Sequence, residues 1–275
     1  MNRKFITFSI ITCIFSWSCW LPIVETLEAS PFDSTWNVLL LFFLGAYGPT
    51  IVGFFLTYWY EGRKGISGLM KRLLPAKVGI GWTLAILFTG PVLYAVTLMV
   101  YVVFGAQTGS VNYGLLPWLP IVFVVPVVFG PLAEEFGWRG FALPQLDHRN
   151  KPVQSSIILG LVWALWHAPL FWAKTGTAIS GFPVDMFLIT SFFLAVTGSS
   201  FIYTWIFNRT DRNLFAAILL HLSMNSSGVI MGMLFPDMDE SQKLLMYQYY
   251  TITVWVIVLT GSLLTRKHRL GSASA

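Results

Sequence analysis

Residues 80–104 read IGWTLAILFTGPVLYAVTLMVYVVF, a run of 25 residues without one charged side chain. About 20 mostly apolar residues, rising 1.5 Å each, carry a helix across a hydrocarbon core roughly 30 Å thick. The run decides the fold because it is repeated. Stretches of similar make-up stand near 5–24, 36–60, 118–138, 155–173, 186–207, 214–235 and 246–265. The sequence therefore predicts an all-α, polytopic membrane helix bundle of about eight transmembrane helices. The fourth to seventh runs carry Pro, Gly, Ser or charge, so their ends are less sharply marked.

The remainder of the chain agrees. Of 275 residues, 56% are hydrophobic, 16% aromatic and only 11% charged, against about 25% charged in an ordinary soluble domain. Hydrophobicity of that order excludes disorder, and no internal repeat is present. Cys13 and Cys19, two thiols within one apolar run, build neither a disulfide framework nor a four-thiolate zinc site. The net charge of +5 has an explanation other than nucleic acid. With eight spans and both termini cytoplasmic, 15 of the 17 basic residues fall on the inside, and only Lys174 and Lys243 fall outside. That is the positive-inside pattern. Acids run the other way: Glu61, Asp147 and Asp211 lie inside, while the remaining loop acids lie outside. Arg3 and Lys4 ahead of an apolar run also fit a signal peptide, but a run of about 20 residues is long for one and no small-x-small cleavage site follows. Residues 1–270 thus form one integral-membrane domain with its motif core at 118–235. The basic loop 61–79 reads as an interfacial helix and 271–275 as a disordered tail.

Charge inside a span costs about 2.5–3.5 kcal/mol per residue on insertion scales, and the spans are almost free of it. The exception is Pro131-Leu-Ala-Glu134-Glu135-Phe-Gly-Trp-Arg139-Gly140. Glu135 and Arg139 are four apart with the acid first, the favourable order for a helical ion pair, so they read as a supporting pair. Glu134 lies about 100° further round the helix and is left unmatched. Two of the four histidines fall inside spans, His167 in Trp163-Ala-Leu-Trp-His167 and His221 in His221-Leu-Ser-Met-Asn225; His148 and His268 fall in loops. His221 and Asn225 share one helix face. Trp163, one turn before His167, reads as a wall between that spot and lipid, or as plain packing.

An acid, two imidazoles and an amide in a small wet pocket suit peptide-bond hydrolysis. Glu134 with His167 would hold and deprotonate a water, and His221 with Asn225 would offer donors to the oxyanion. A second route uses zinc, with Glu134, His167 and His221 as its three ligands. The residues leave both open. The His-Glu-x-x-His zinc motif is absent, and so is any intramembrane aspartate. A serine route through Gly198-Ser199-Ser200 and a His is an alternative, but such a run in a span ordinarily packs helices.

These three ordered elements, Glu134-Glu135-x-x-x-Arg139, an aromatic Trp163 four before His167, and His221-x-x-x-Asn225, resemble the motifs of the CAAX prenyl protease and bacteriocin-processing (CPBP) family. That family is also known as the CPBP intramembrane metalloproteases or the abortive-infection (Abi) family. The resemblance spans 131–225, and Trp163 stands where the family commonly has Phe. It implies a CAAX type II-like intramembrane endopeptidase. In that reading Glu134 is the catalytic acid, His167 its water-holding partner, His221 and Asn225 the oxyanion stabilisers, and Glu135 and Arg139 the supporting pair. It also implies a membrane-associated, prenylated or otherwise tethered peptide substrate approaching from the cytoplasmic side. The protein would then be a multi-pass membrane protein, in a bacterium one of the cell membrane. The other reading is a non-catalytic scaffold or bacteriocin self-immunity protein that keeps the motifs for packing. A proton pathway is a third, though the paired broken helices of a transporter are not evident.

Overall fold

The computed structural model describes residues 2–146 and 149–264. Its longer helices are α1 (Arg3–Trp20), α2 (Trp36–Ala46), α3 (Gly48–Lys71), α4 (Ile80–Val103), α5 (Leu119–Val124), α6 (Pro131–Glu135), α7 (Pro152–Trp166), α8 (Met186–Arg209), α9 (Leu214–Leu234) and α10 (Glu240–Leu264). No strand occurs among the described residues. His148, His268 and the tail 271–275 lie outside them.

Every apolar run read from the sequence has become helix, but not every run is a simple span. Among the described residues six helical stretches are long and apolar enough to cross a membrane, and a seventh is the pair α2 and α3, bent by 50° around Tyr47. The eighth, α7, has 15 residues, about 22 Å at 1.5 Å each, short of a full crossing. The expected count of eight is thus six or seven by length. The basic 61–79 stretch is helical as far as Lys71, after a break at Gly62, whose φ of +61° is left-handed.

The fourth run departs furthest from a straight span. Between Tyr113 and Gln145 the chain alternates short 3₁₀ turns with α5 and α6, then winds into a π-helical turn at Phe136–Ala142. Proline is the cause. Pro117, Pro120, Pro126, Pro131 and Pro144 each lack the N–H that would continue the ladder, and their rings crowd the preceding turn. Irregular backbone survives at membrane depth only if its polar groups find partners inside the protein. Here other helices supply them. Tyr47 Oη donates to the carbonyl of Val128 at 2.8 Å, Thr50 Oγ1 to that of Leu132 at 3.0 Å, and Ser226 Oγ to that of Phe123 at 2.6 Å. Arg72 then holds the far end: Nη1 and Nη2 donate to the carbonyls of Gly140 and Arg139, both at 2.9 Å, and Nε to that of Arg212 at 3.0 Å.

Close approach of backbones does the rest. A Cβ on Gly137 would sit 2.2 Å from the Pro49 carbonyl oxygen, and one on Gly53 2.9 Å from the Gly137 Cα. Glycine at both positions lets α3 lie directly on the π-helical turn. In α4, Pro91 leaves the Leu87 carbonyl without its usual partner; Ser223 Oγ on α9 donates to it at 2.7 Å and accepts from Gly90 N at 2.9 Å. That contact pins α9 two residues beyond His221. Asn213 caps α9 by accepting from Ala216 N, and its amide donates to the Leu74 carbonyl.

Candidate active site

Glu134 and Glu135 end α6, and the π-helical turn that follows carries Arg139. Turns of this kind are rare and are frequently found at functional sites. Both acids and the arginine are buried, Glu134 at 7% exposure and the other two at 0%. The ion pair expected from the spacing is present, Arg139 Nη1 donating to Glu135 Oε1 at 2.8 Å. The guanidinium then lies between two rings, 4.3 Å from the Trp163 centroid and 4.0 Å from that of Tyr203. A weakly hydrated cation set on aromatic faces is held well in a place with little water.

His221 reaches the same carboxylate. Its Nδ1 lies 2.7 Å from Glu135 Oε1, which therefore takes two donors, while Glu135 Oε2 has no partner among the described residues. A carboxylate oxygen as partner makes Nδ1 the protonated nitrogen and turns Nε2 away from Glu135. Sequence spacing had paired Glu135 with Arg139 alone. The contact with His221 crosses between helices and has no periodic signature.

Glu134 is not unmatched either. The Trp163 indole N–H donates to its Oε2 at 2.7 Å, and Oε1 has no hydrogen-bond partner among the described residues. Trp163 is buried, and its ring also meets those of Tyr203 and His221 edge-on at 5.5 and 5.7 Å. Beyond the packing expected of it, the indole is a polar partner of the acid. Phe, the residue common at this position in the family that the motifs resemble, has no N–H to give.

One spot gathers the free atoms. A Cβ built on Gly130 would stand 2.9 Å from Asn225 Nδ2, 3.5 Å from His221 Nε2 and 4.0 Å from Glu134 Oε1. Glu134, His221 and Asn225 are thus brought together from α6 and α9. Asn225 is exposed while the other two are buried, so the group opens to the surface on the Asn225 side. The formal charges of Glu134, Glu135, Arg139 and His221 sum to zero when the imidazole carries both protons.

His167 is placed differently. It follows the end of α7, and its Nδ1 lies 2.9 Å from the Trp163 carbonyl. A carbonyl only accepts, so Nδ1 bears the proton and Nε2 the lone pair in the neutral ring. The ring packs against Trp166 at 4.5 Å and Phe192 at 5.5 Å, and it is not among the three nearest neighbours of the Gly130 space. Trp163 is the neighbour it shares with the rest of the group. This bears on the zinc route. Among the described residues no three of His, Cys, Asp and Glu are placed to hold a metal ion. The set Glu134, His167 and His221 is thus not assembled as ligands among the described residues.

The serine alternative dissolves into packing. A Cβ on Gly198 would meet Val254 and Trp255 of α10, and Ser200 is fully buried against Gly160 of α7. Sequence reasoning missed Tyr203, Gly130 and the bracing residues Tyr47, Thr50 and Arg72. Of these only Tyr203 carried a signal, as a buried aromatic within a polar stretch of α8.

Residues 116–227, which include Glu134, Glu135, Arg139, Trp163, His167, His221 and Asn225 but not the bracing residues Tyr47, Thr50 and Arg72, match the family model described as type II CAAX prenyl endopeptidase, Rce1-like. The CAAX prenyl protease 2 of Methanococcus maripaludis is 23% identical over 202 residues, covering 70% of this chain and 74% of that protein.

Proposed function

We propose that this chain, which belongs to the CAAX prenyl protease and bacteriocin-processing family, hydrolyses a peptide bond within the bilayer, with Glu134 as the base that activates water. It is an integral multi-pass membrane protein, and its family is one of proteases. The observation that carries the finer reading is the meeting of Glu134 Oε1, His221 Nε2 and Asn225 Nδ2 around one buried spot. An acid facing an amide N–H and an imidazole that donates from Nε2 when it carries both protons is the arrangement that acyl transfer to water requires: a base for the proton and donors for the oxyanion.

In this reading Trp163 fixes one Glu134 oxygen so that the other is free to take the proton of water. Glu135 orients His221 and balances its charge, and Asn225 supplies the second donor. His167 Nε2, with its lone pair, orients the water from the side of Trp163. The substrate is a membrane-tethered peptide entering from the cytoplasm on the Asn225 side. The Methanococcus maripaludis relative is named a CAAX prenyl protease; a prenylated substrate is our proposal here, as is the absence of a required metal.

The test is cleavage of lipid-anchored peptides by purified protein. Glu134→Gln and His167→Ala should abolish cleavage, by about 1,000-fold or more, while the protein is still extracted in folded form. Unchanged cleavage by Glu134→Gln would end the proposal; unchanged biological activity together with no cleavage by the parent protein would favour the scaffold reading. Metal content and chelator sensitivity of the active protein test the metal-free route.

A further inference from the structure

Arg139 is buried with a single hydrogen bond from its guanidinium, Nη1 to Glu135; Nε and Nη2 have no partner among the described residues. What else holds the cation is the pair of rings on either side, and the two are not equivalent. The Trp163 ring, 4.3 Å away, is tied through its N–H to Glu134. The Tyr203 ring, on α8, is nearer at 4.0 Å. It also meets the His221 ring at 5.8 Å and 87°, and the Trp163 ring at 5.5 Å and 74°. We infer that Tyr203 is a positioning residue for the reaction: its ring holds Arg139 against Glu135 and thereby fixes the imidazole of His221.

The geometry links the three groups through one atom. Glu135 Oε1 lies 2.8 Å from Arg139 Nη1 and 2.7 Å from His221 Nδ1, so it cannot follow one donor without leaving the other. The second oxygen of that carboxylate has no partner among the described residues and provides no other anchor. The place of Arg139 therefore sets the place of Glu135, and with it the direction in which His221 Nε2 points. Misplacing a reacting group by about 1 Å is enough to cost roughly 100-fold in rate. A cation is drawn to an aromatic face by the ring quadrupole, and more strongly where water is absent. Tyr203 is 2% exposed and Arg139 0%, which puts this contact at the strong end. All of these contacts are made by the ring of Tyr203, so the role belongs to the ring rather than to the hydroxyl.

The inference rests on the hydrolytic reading of the site, and the experiment separates the two. In protein that cleaves a lipid-anchored peptide, position 203 is given Phe, and then Phe bearing one, two and three ring fluorines. Fluorine withdraws negative charge from the ring face while the size and shape of the ring are nearly kept. With Tyr203→Phe, kcat should stay within about threefold of the parent. It should then fall with each fluorine, to about 10- to 30-fold below the parent at three, with KM within about threefold throughout. A ring that only fills space gives a flat series, and a flat series overturns the inference while leaving the role of Glu134 standing. A fall of more than threefold in Tyr203→Phe places the effect on the hydroxyl and overturns it as well. Tyr203→Leu removes the ring and should lower kcat at least as far as three fluorines do; a folded Tyr203→Leu protein within threefold of the parent refutes the assignment. If Tyr203→Leu is not extracted folded, the fluorine series decides alone. A Glu134→Gln protein that still cleaves at the parent rate overturns the hydrolytic reading, whatever the ring series shows.

Discussion

At the scale of single residues, the site turns on which atoms are committed and which are left free. Glu134 gives Oε2 to the Trp163 indole, His221 gives Nδ1 to Glu135, and His167 gives Nδ1 to a carbonyl; each keeps one reactive atom. Removing the indole donor alone tests this. Trp163→Phe keeps an aromatic ring near Arg139 but takes a hydrogen bond from a charged acceptor, worth about 1.5–3 kcal/mol, and Oε1 loses its fixed aim. We expect kcat to drop about 10- to 100-fold with KM little changed and the protein still folded, measured by steady-state cleavage. An unchanged kcat would make Trp163 a packing residue only. Glu135 with Arg139 was legible in the sequence, since i,i+4 spacing is a local rule, and so was the shared face of His221 and Asn225. The Trp163 to Glu134 and His221 to Glu135 bonds were not. They join side chains 29 and 86 positions apart, and no periodicity within one helix encodes such a meeting.

Elements explain how a proline-broken segment holds two buried acids still. Its free carbonyls are taken by Tyr47, Thr50, Ser226 and Arg72, and glycines bring α3 onto the π-helical turn. Arg72 is the strongest of these braces. Burial, with Arg212 adding and Glu61 opposing, lowers its pKa to about 10, so it remains a cation at neutral pH with three carbonyls to satisfy. Arg72→Met strands those carbonyls at about 1–3 kcal/mol each where water does not reach them. We expect a loss of at least about 3 kcal/mol of stability in a denaturant or thermal unfolding series, and only partial recovery with Arg72→Lys, whose single ammonium does not reproduce the planar fork. Parent-like stability in Arg72→Met would refute the brace. From sequence, Arg72 was one more basic residue of an inside loop. The prolines of 117–144 announced a soft span, but where the chain would turn next, and what would take up its carbonyls, depended on neighbours far along the chain.

Over the whole molecule, the charge pattern and the contacts agree on how the loops group. Lys174 pairs with Glu28 at 2.7 Å, Arg149 with Asp211 at 3.3 Å, Asn2 with Gln145 at 3.2 Å, and Ser110 bonds Asp237. Each contact joins two segments that the basic-residue distribution assigns to one face. Reporters fused at the two chain ends should therefore both report the cytoplasm, and a tag inserted near Lys174 the opposite side; any other result breaks the assignment. The sequence by itself determined that the chain is a bundle of apolar helices, which segments form it, and which few ionisable residues are set within them. It does so because the cost of polar groups in lipid acts on every residue by its kind and its local run. Only the tertiary structure decided that α2 and α3 bend as a pair, that α7 is short, and that Glu134, His221 and Asn225 face one another across the missing side chain of Gly130. Those outcomes depend on backbones that approach within a glycine's width and on single hydrogen bonds between distant helices, and geometry of that kind exists only once the chain has packed.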